Sequence, residues 1–177
     1  KKRKQGIPIA YLLNKKEFYG KVFKINESVL IPRPETEIII DKALEMFNSE
    51  QKIKILDLGT GSGVLAITLA NYFKKSEVYA VDLELKALAL AKENFNLVSE
   101  FKNIHFIQTD LLSCFSSKEK FDLIVSNPPY IESDDIHLNL GDLRFEPRSS
   151  LDGGQNGMRF ISKIITFTIF SFYFIWA

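Results

Sequence analysis

The sequence predicts an α/β fold in which a mainly parallel sheet carries helices on its faces, preceded by a short β-hairpin. Three observations predict it. From residue 53 onward, apolar runs of strand length alternate with segments at helical spacing. The first run, "IKILDL", is apolar almost throughout, as a parallel strand covered on both faces must be. A glycine-rich loop joins that run to its helix, and Asp57, Asp82, Asp110 and Asn127 fall at or near the carboxyl ends of successive strands. In open α/β sheets, ligands bind beyond those ends.

Taken in order, residues 7–31 read as short β segments. "VFKI" alternates around Phe23 and Ile25, a turn falls at Asn26-Glu27-Ser28, and "VLI" follows. "PRPETE" opens a helix, because Pro34 suits its first position and Glu35 and Glu37 suit its positive end. Ile39, Ala43, Leu44 and Phe47 then recur on one face. "IKILDL" (53–58), "EVYAVDL" (77–83), "NIHFIQ" (103–108) and "FDLIVS" (121–126) are four strands. "VLAITLANYF" (64–73) is a helix, and Leu85, Leu88, Ala91 and Phe95 mark another.

Bulk properties narrow the function classes. At 177 residues the chain can build one domain with a substantial core. A formal net charge of +1 provides no global field for nucleic acid or an anionic membrane. One cysteine, Cys114, excludes an internal disulfide and suits a reducing compartment, so a cytoplasmic location is expected. His105, His137 and Cys114 are well separated, and no metal site is expected. No apolar stretch follows the N-terminal lysines as a signal peptide would require. The C-terminal "IITFTIFSFYFIWA" has fourteen residues without a charge, short of the roughly 20 that a spanning helix needs.

"DLGTGSG" places Gly59, Gly61 and Gly63 between the first parallel strand and its helix, whose free N–H groups can face an anion. A dinucleotide fingerprint would be G-x-G-x-x-G. Here the third glycine comes at 63 and Val64 follows it. The loop resembles instead the G-x-G-x-G loop of class I S-adenosylmethionine methyltransferases. That resemblance assigns Asp57, Gly59, Thr60, Gly61, Ser62 and Gly63 to the cofactor. It also places Asp82, nineteen residues beyond Gly63, on the ribose hydroxyls. Asp110 and Leu111 fall where the class contacts adenine; otherwise they are a surface acid and a core leucine.

"NPPY" (127–130) follows the fourth strand. A planar amide or exocyclic amine has a delocalised lone pair, so acceptors must hold its N–H groups while the lone pair faces an electrophilic methyl. The Asn127 side-chain oxygen and the Pro128 carbonyl can supply two acceptors. Pro128 and Pro129 stiffen the backbone, and Tyr130 offers a flat wall. The gain is orientation and preorganised electrostatics, with no strong base required. The same signature serves enzymes that methylate adenine N6, guanine N2 and glutamine amides, and does not choose among them.

The blocks "IPIAYLLNKKEFYG", "VLIPRPETE", "ILDLGTGSG", "SNPPYIE" and "FEPRSSLDGGQNGM" together resemble the HemK/PrmC family of release-factor glutamine N5-methyltransferases. The resemblance runs from about Ile7 to about Ile165, and "IPRPETE" is its most family-specific piece. It implies a Rossmann-like fold, S-adenosyl-L-methionine as cofactor, and methylation of the glutamine in the Gly-Gly-Gln motif of class I peptide chain release factors. Asn127, Pro128, Pro129 and Tyr130 would hold that glutamine, with Arg33 and Glu35 lining the site and Asn127 also near the cofactor. The chain's own Gly153-Gly154-Gln155 is read as coincidental, since the family fills that loop with Gly-rich sequence.

The expected organisation is a residual linker and hairpin over 1–31, a partial methyltransferase domain over 32–165, and an apolar tail over 166–177. Only the end of the family's N-terminal helical bundle, "KKRKQG", is present, and four strands are readable where the family fold has seven. The tail abruptly loses charges and helix periodicity, as a shifted frame or premature stop would produce. An interrupted enzyme with an unpaired sheet edge, weak activity and poor solubility is therefore expected. The alternatives are a nucleic-acid base methyltransferase and an inactive truncated remnant. Phosphate-binding cations and an inserted recognition region would mark the former, and neither is visible.

Overall fold

The computed structural model describes residues 5–99, 101–110, 113–115, 119–168 and 174–176. Leu111 and the basic tetrad Lys1–Lys4 lie outside the described residues.

The N-terminal region differs from the sequence expectation. Residues Ile9–Leu13 form a helix (α1), ended by Asn14 in the left-handed conformation, φ 52°. The hairpin then lies earlier than predicted, between Lys15–Phe18 (β1) and Lys21–Lys24 (β2), with Lys15 opposite Lys24 and Phe18 opposite Lys21. Its turn is Tyr19-Gly20, with φ 49° and 71°, the pair of positive values that matches strand twist in a two-residue hairpin. A tyrosine there is a poor turn signal. Its left-handed backbone, a cost of roughly 1–2 kcal/mol, is offset by two contacts. Its N–H donates to Glu37 Oε1 at 2.9 Å and its hydroxyl to Asp41 Oδ1 at 2.7 Å. The expected turn at Asn26–Ser28 exists but bends an extended segment, with Ser28 N–H bonded to Asn26 Oδ1.

After a 3₁₀ turn at Pro34–Thr36, helix α2 spans Glu37–Met46. The strands Lys54–Leu58 (β3), Glu77–Asp82 (β4), Ile104–Gln108 (β5) and Leu123–Ser126 (β6) match the four predicted runs. Helices Val64–Tyr72 (α3) and Leu85–Val98 (α4) make the crossovers. Helix α5 covers Arg159–Thr168, and Phe174–Trp176 is a further strand, β7.

The sheet order is β5-β4-β3-β6-β7, every pair parallel. The chain moves outward from β3 through β4 to β5, then returns to the other side of β3 as β6. The carboxyl ends of β3 and β6 therefore flank the point where the order reverses, the natural crevice of such a sheet. Ser126 closes it by donating from Oγ to the Leu58 carbonyl at 2.8 Å.

Two features correct the reading of the tail. Ile161 and Ile164 keep a buried helical face, so α5 runs on through Thr168. Beyond it, Phe174, Ile175 and Trp176 pair with Ile124, Val125 and Ser126, which sets a fifth strand beside β6 and makes that strand the sheet edge. The physical reason is the tail's own composition: aromatic and β-branched residues fit a pleated surface.

One face of the sheet packs Ile55, Val78, Ala80, Leu123 and Val125 against α2 and α3, and takes in Phe18 and Phe23 of the hairpin. The opposite face packs Leu56, Leu58, Val81 and Ile124 against Ile164. Among the described residues no helix is long and apolar enough to cross a membrane.

Candidate functional site

The glycine loop at the end of β3 is tied down from both sides. Gly59 and Thr60 donate their N–H groups to the Val81 carbonyl at 3.0 and 2.9 Å, and Gly61 N–H donates to Asp82 Oδ2 at 2.8 Å. Gly63 precedes α3 with φ 83°, and a Cβ there would meet Ala91 Cβ at 3.1 Å and Ala91 Cα at 3.3 Å. This glycine lets α3 and α4 approach. At Gly59, by contrast, nothing stands within 4 Å of where a Cβ would be, so the loop backbone is open to a ligand.

Asn94 supports the loop from beneath. This fully buried side chain of α4 donates from Nδ2 to the Ser62 carbonyl at 2.9 Å and to the Lys24 carbonyl at 3.0 Å. Its Oδ1 accepts from Lys24 N–H at 2.7 Å. One amide thus fastens the glycine loop to the hairpin.

Asp57 and Asp82 take different roles. Asp57 is 1% exposed and does not line the cavity. Its Oδ2 accepts from the Thr60 hydroxyl at 2.7 Å and from Ala66 N–H at 3.2 Å, shaping the loop from behind. The sequence expectation put Asp57 at the cofactor; in the structure it lies behind the loop, outside the cavity lining. Burial raises its carboxyl from the model-peptide value of 3.8 to about 7, against the lowering effect of the Thr60 and Ala66 hydrogen bonds. The native state thus keeps a proton that the unfolded chain releases near 3.8. Its contribution to stability is full below that value and is lost as pH rises through about 7. The wild-type melting temperature should fall relative to Asp57→Asn between about pH 4 and 7. Parallel melting curves for the two across that window would remove this account.

Asp82 does line the cavity. Burial raises its carboxyl above the usual range, while N–H groups of Glu84 and Gly61 lower it. Each oxygen accepts one backbone N–H, from Gly61 and Glu84, and so retains a lone pair for a hydroxyl.

A cavity of about 400 Å³ lies over the switch point, a size suited to a small organic ligand. Gly59, Thr60, Gly61 and Ser62 form one wall together with Asp82 and Asp110. Asn127, Pro128 and Pro129 line the same cavity. Tyr130 lies next to them, 53% exposed and outside the lining. The Asn127 side chain donates from Nδ2 to Thr36 Oγ1 at 3.1 Å.

Arg33 and Glu35 do not line the cavity. Glu35 is exposed, and Arg33 forms an ion pair with Glu146, whose side chain is fully buried. The other Glu146 oxygen accepts from Ile31 N–H at 2.9 Å. The "IPRPETE" segment is thus fastened to "FEPRSS", and the residues it delivers to the cavity are Pro32 and Thr36.

Sequence reasoning also misses Arg148, Ser150 and Asp152, which line the cavity from the loop before α5, and Arg159 at the start of that helix. That loop holds up the Asn127–Tyr130 turn. Ile131 N–H donates to the Leu151 carbonyl at 3.0 Å, and Gly153 N–H to the Ile131 carbonyl at 2.7 Å. The Gly-Gly pair was the available signal: Gly153 is glycine because Pro129 and Tyr130 lie against it. Among the described residues no group of three His, Cys, Asp or Glu side chains could hold a metal ion.

Comparison with known proteins fits this geometry. The family model described as methyltransferase small domain matches residues 39–146. A release factor glutamine methyltransferase of Shewanella oneidensis is 43% identical over 156 residues, covering 88% of this chain and 54% of that protein. Its namesake in Salmonella typhimurium is 44% identical over 164 residues, covering 93% of this chain and 58% of that protein. The chain thus spans little more than half the length of these curated relatives. Two solved structures share the fold. One is a SAM-dependent methyltransferase from Agrobacterium tumefaciens, with TM-score 0.53 and 24% identity over 65% of this chain and 39% of that one. The other is the hMettl16 catalytic domain in complex with an RNA hairpin, with TM-score 0.62 and 13% identity over 91% of this chain and 69% of that one. The matched family, the parallel sheet and the glycine loop at its switch point agree: this chain belongs to the methyltransferase small domain family.

Proposed function

We propose that this chain transfers a methyl group from S-adenosyl-L-methionine to the side-chain amide nitrogen of a glutamine, the one in the Gly-Gly-Gln loop of class I peptide chain release factors. The observation that carries the reading is the shared cavity: Asn127 and Pro128 face the same space as the glycine loop and Asp82. The relatives named release factor glutamine methyltransferase supply the acceptor.

The residues present fit the cofactor. The open backbone at Gly59 can be approached closely, and the free lone pairs of Asp82 suit a pair of ribose hydroxyls. Asp110 lies along the same wall, where it can accept from an adenine amino group. When bound, the cofactor supplies an electrophilic methyl on a sulfonium. Asn127 Oδ1 and the Pro128 carbonyl accept the two N–H groups of the substrate amide, which turns its lone pair toward the methyl. Tyr130, exposed at the edge of the cavity, packs on the chain that delivers the glutamine. Asp57 is sealed behind the loop and removes no proton; the proton lost from nitrogen goes to water.

Transfer of labelled methyl from S-adenosyl-L-methionine, compared on a class I release factor and on DNA, tests this. Label is expected on the release factor glutamine, and label on DNA alone would reverse the assignment. Asp82→Ala should raise the cofactor dissociation constant by about tenfold or more, since it removes a charge-assisted contact worth about 1.5–3 kcal/mol. Isothermal titration with the cofactor measures it.

A further inference from the structure

We propose that Thr36 is a positioning residue that holds the nitrogen end of the Asn127 amide and so leaves its oxygen toward the substrate. The inference rests on the function proposed above.

A side-chain amide carries an acceptor at one end and donors at the other, and a half-turn about its last bond exchanges them. Asn127 sits on a loop beyond β6, and among the described residues Thr36 holds its nitrogen end. The hydroxyl oxygen lies 3.1 Å from Asn127 Nδ2 and accepts from it, and Thr36 is only 4% exposed. Both residues line the cavity. With the nitrogen held by Thr36, the oxygen is the end left for a ligand. A substrate NH₂ group needs an acceptor there, and a reversed amide would set donor against donor.

Thr36 is itself held rigidly. It ends the 3₁₀ turn that begins with Pro34, and its N–H donates to the Arg33 carbonyl at 3.1 Å. Arg33 is anchored to buried Glu146, which also binds Ile31 N–H. A β-branched side chain leaves few χ1 choices. The line of contacts runs from Glu146 through Arg33 and Thr36 to the Asn127 amide.

Thr36→Val keeps the shape and removes the acceptor. Thr36→Ser restores it, and Thr36→Ala checks that the valine methyl has not overpacked the site. Methyl transfer to the release factor should slow by about tenfold or more in the valine and alanine variants, the loss of one oriented hydrogen bond. The cofactor dissociation constant should stay within about twofold, and serine should recover most of the rate. An independent readout is hydrogen exchange of the Asn127 side-chain amide protons, followed by NMR. Exchange should accelerate in the valine and alanine variants and return toward wild type with serine. Wild-type turnover and unchanged exchange in Thr36→Val and Thr36→Ala would overturn the proposal. If wild-type protein methylates no release factor yet its amide exchange follows this pattern, the functional reading fails and the positioning role stands.

Discussion

Asn127→Ala should lower methyl transfer by about 10²–10³-fold, while the cofactor dissociation constant changes little. Removing the amide deletes the oxygen assigned to the substrate N–H and leaves the Pro128 carbonyl alone to orient a planar nitrogen. It also frees Thr36, whose hydroxyl then has water in place of Nδ2. None of this touches the glycine loop or Asp82, whose contacts run to Asp57, Val81, Glu84, Asn94 and one another. The expected pattern is a large fall in single-turnover rate beside an unchanged cofactor titration. An Asn127→Ala protein that turns over at the wild-type rate would remove the mechanism.

Gly153→Ala should be nearly as severe for a different reason. A Cβ at this position would lie 2.6 Å from the Gly157 carbonyl oxygen, 2.7 Å from Tyr130 Cα and 2.8 Å from the Pro129 carbonyl oxygen. All three are backbone atoms, so no rotamer change relieves the clash, and the Pro129-Tyr130 segment must shift. Overpacking of this kind costs about 1–3 kcal/mol. At about 2 kcal/mol, a chain of this size loses roughly 4–8 °C in melting temperature. Displacing the acceptor groups by about 1 Å can cost 10²-fold in rate. Gly141→Ala is the control. It forces an alanine to φ 53° but meets nothing within 4 Å, so it should cost stability without the rate loss. A Gly153→Ala protein that melts and turns over like wild type would show that the loop does not buttress the turn.

The sheet was legible because its strands are local apolar runs, and the glycine loop because its spacing is local too. That Asp82 and Asn127 would meet at one cavity could be read from their places at strand ends. The less legible residues act across long stretches of chain. Thr36 meets Asn127 over 91 positions and Glu146 meets Arg33 over 113, and no pattern within either segment announces the partner. Asn94 reads as an ordinary polar residue in a helix, since only the assembled fold brings Lys24 and Ser62 to it. The hairpin was displaced in the sequence reading for a local reason. Tyr19 carries none of the turn chemistry of Asn or Asp, and its positive φ is maintained by contacts to α2. The strand at Phe174–Trp176 was visible as composition but not as pairing.

The double grip of Asn94 makes the hairpin and the glycine loop thermodynamic partners. Tightening the loop around a ligand restrains an amide that also carries two hydrogen bonds of Lys24, so the hairpin loses freedom at the same moment. Linkage is reciprocal. Whatever grips β2 from outside must change affinity at the loop by the same factor that loop occupancy changes the grip. Asn94→Ala cuts both connections at once, and with them the route by which either end could sense the other.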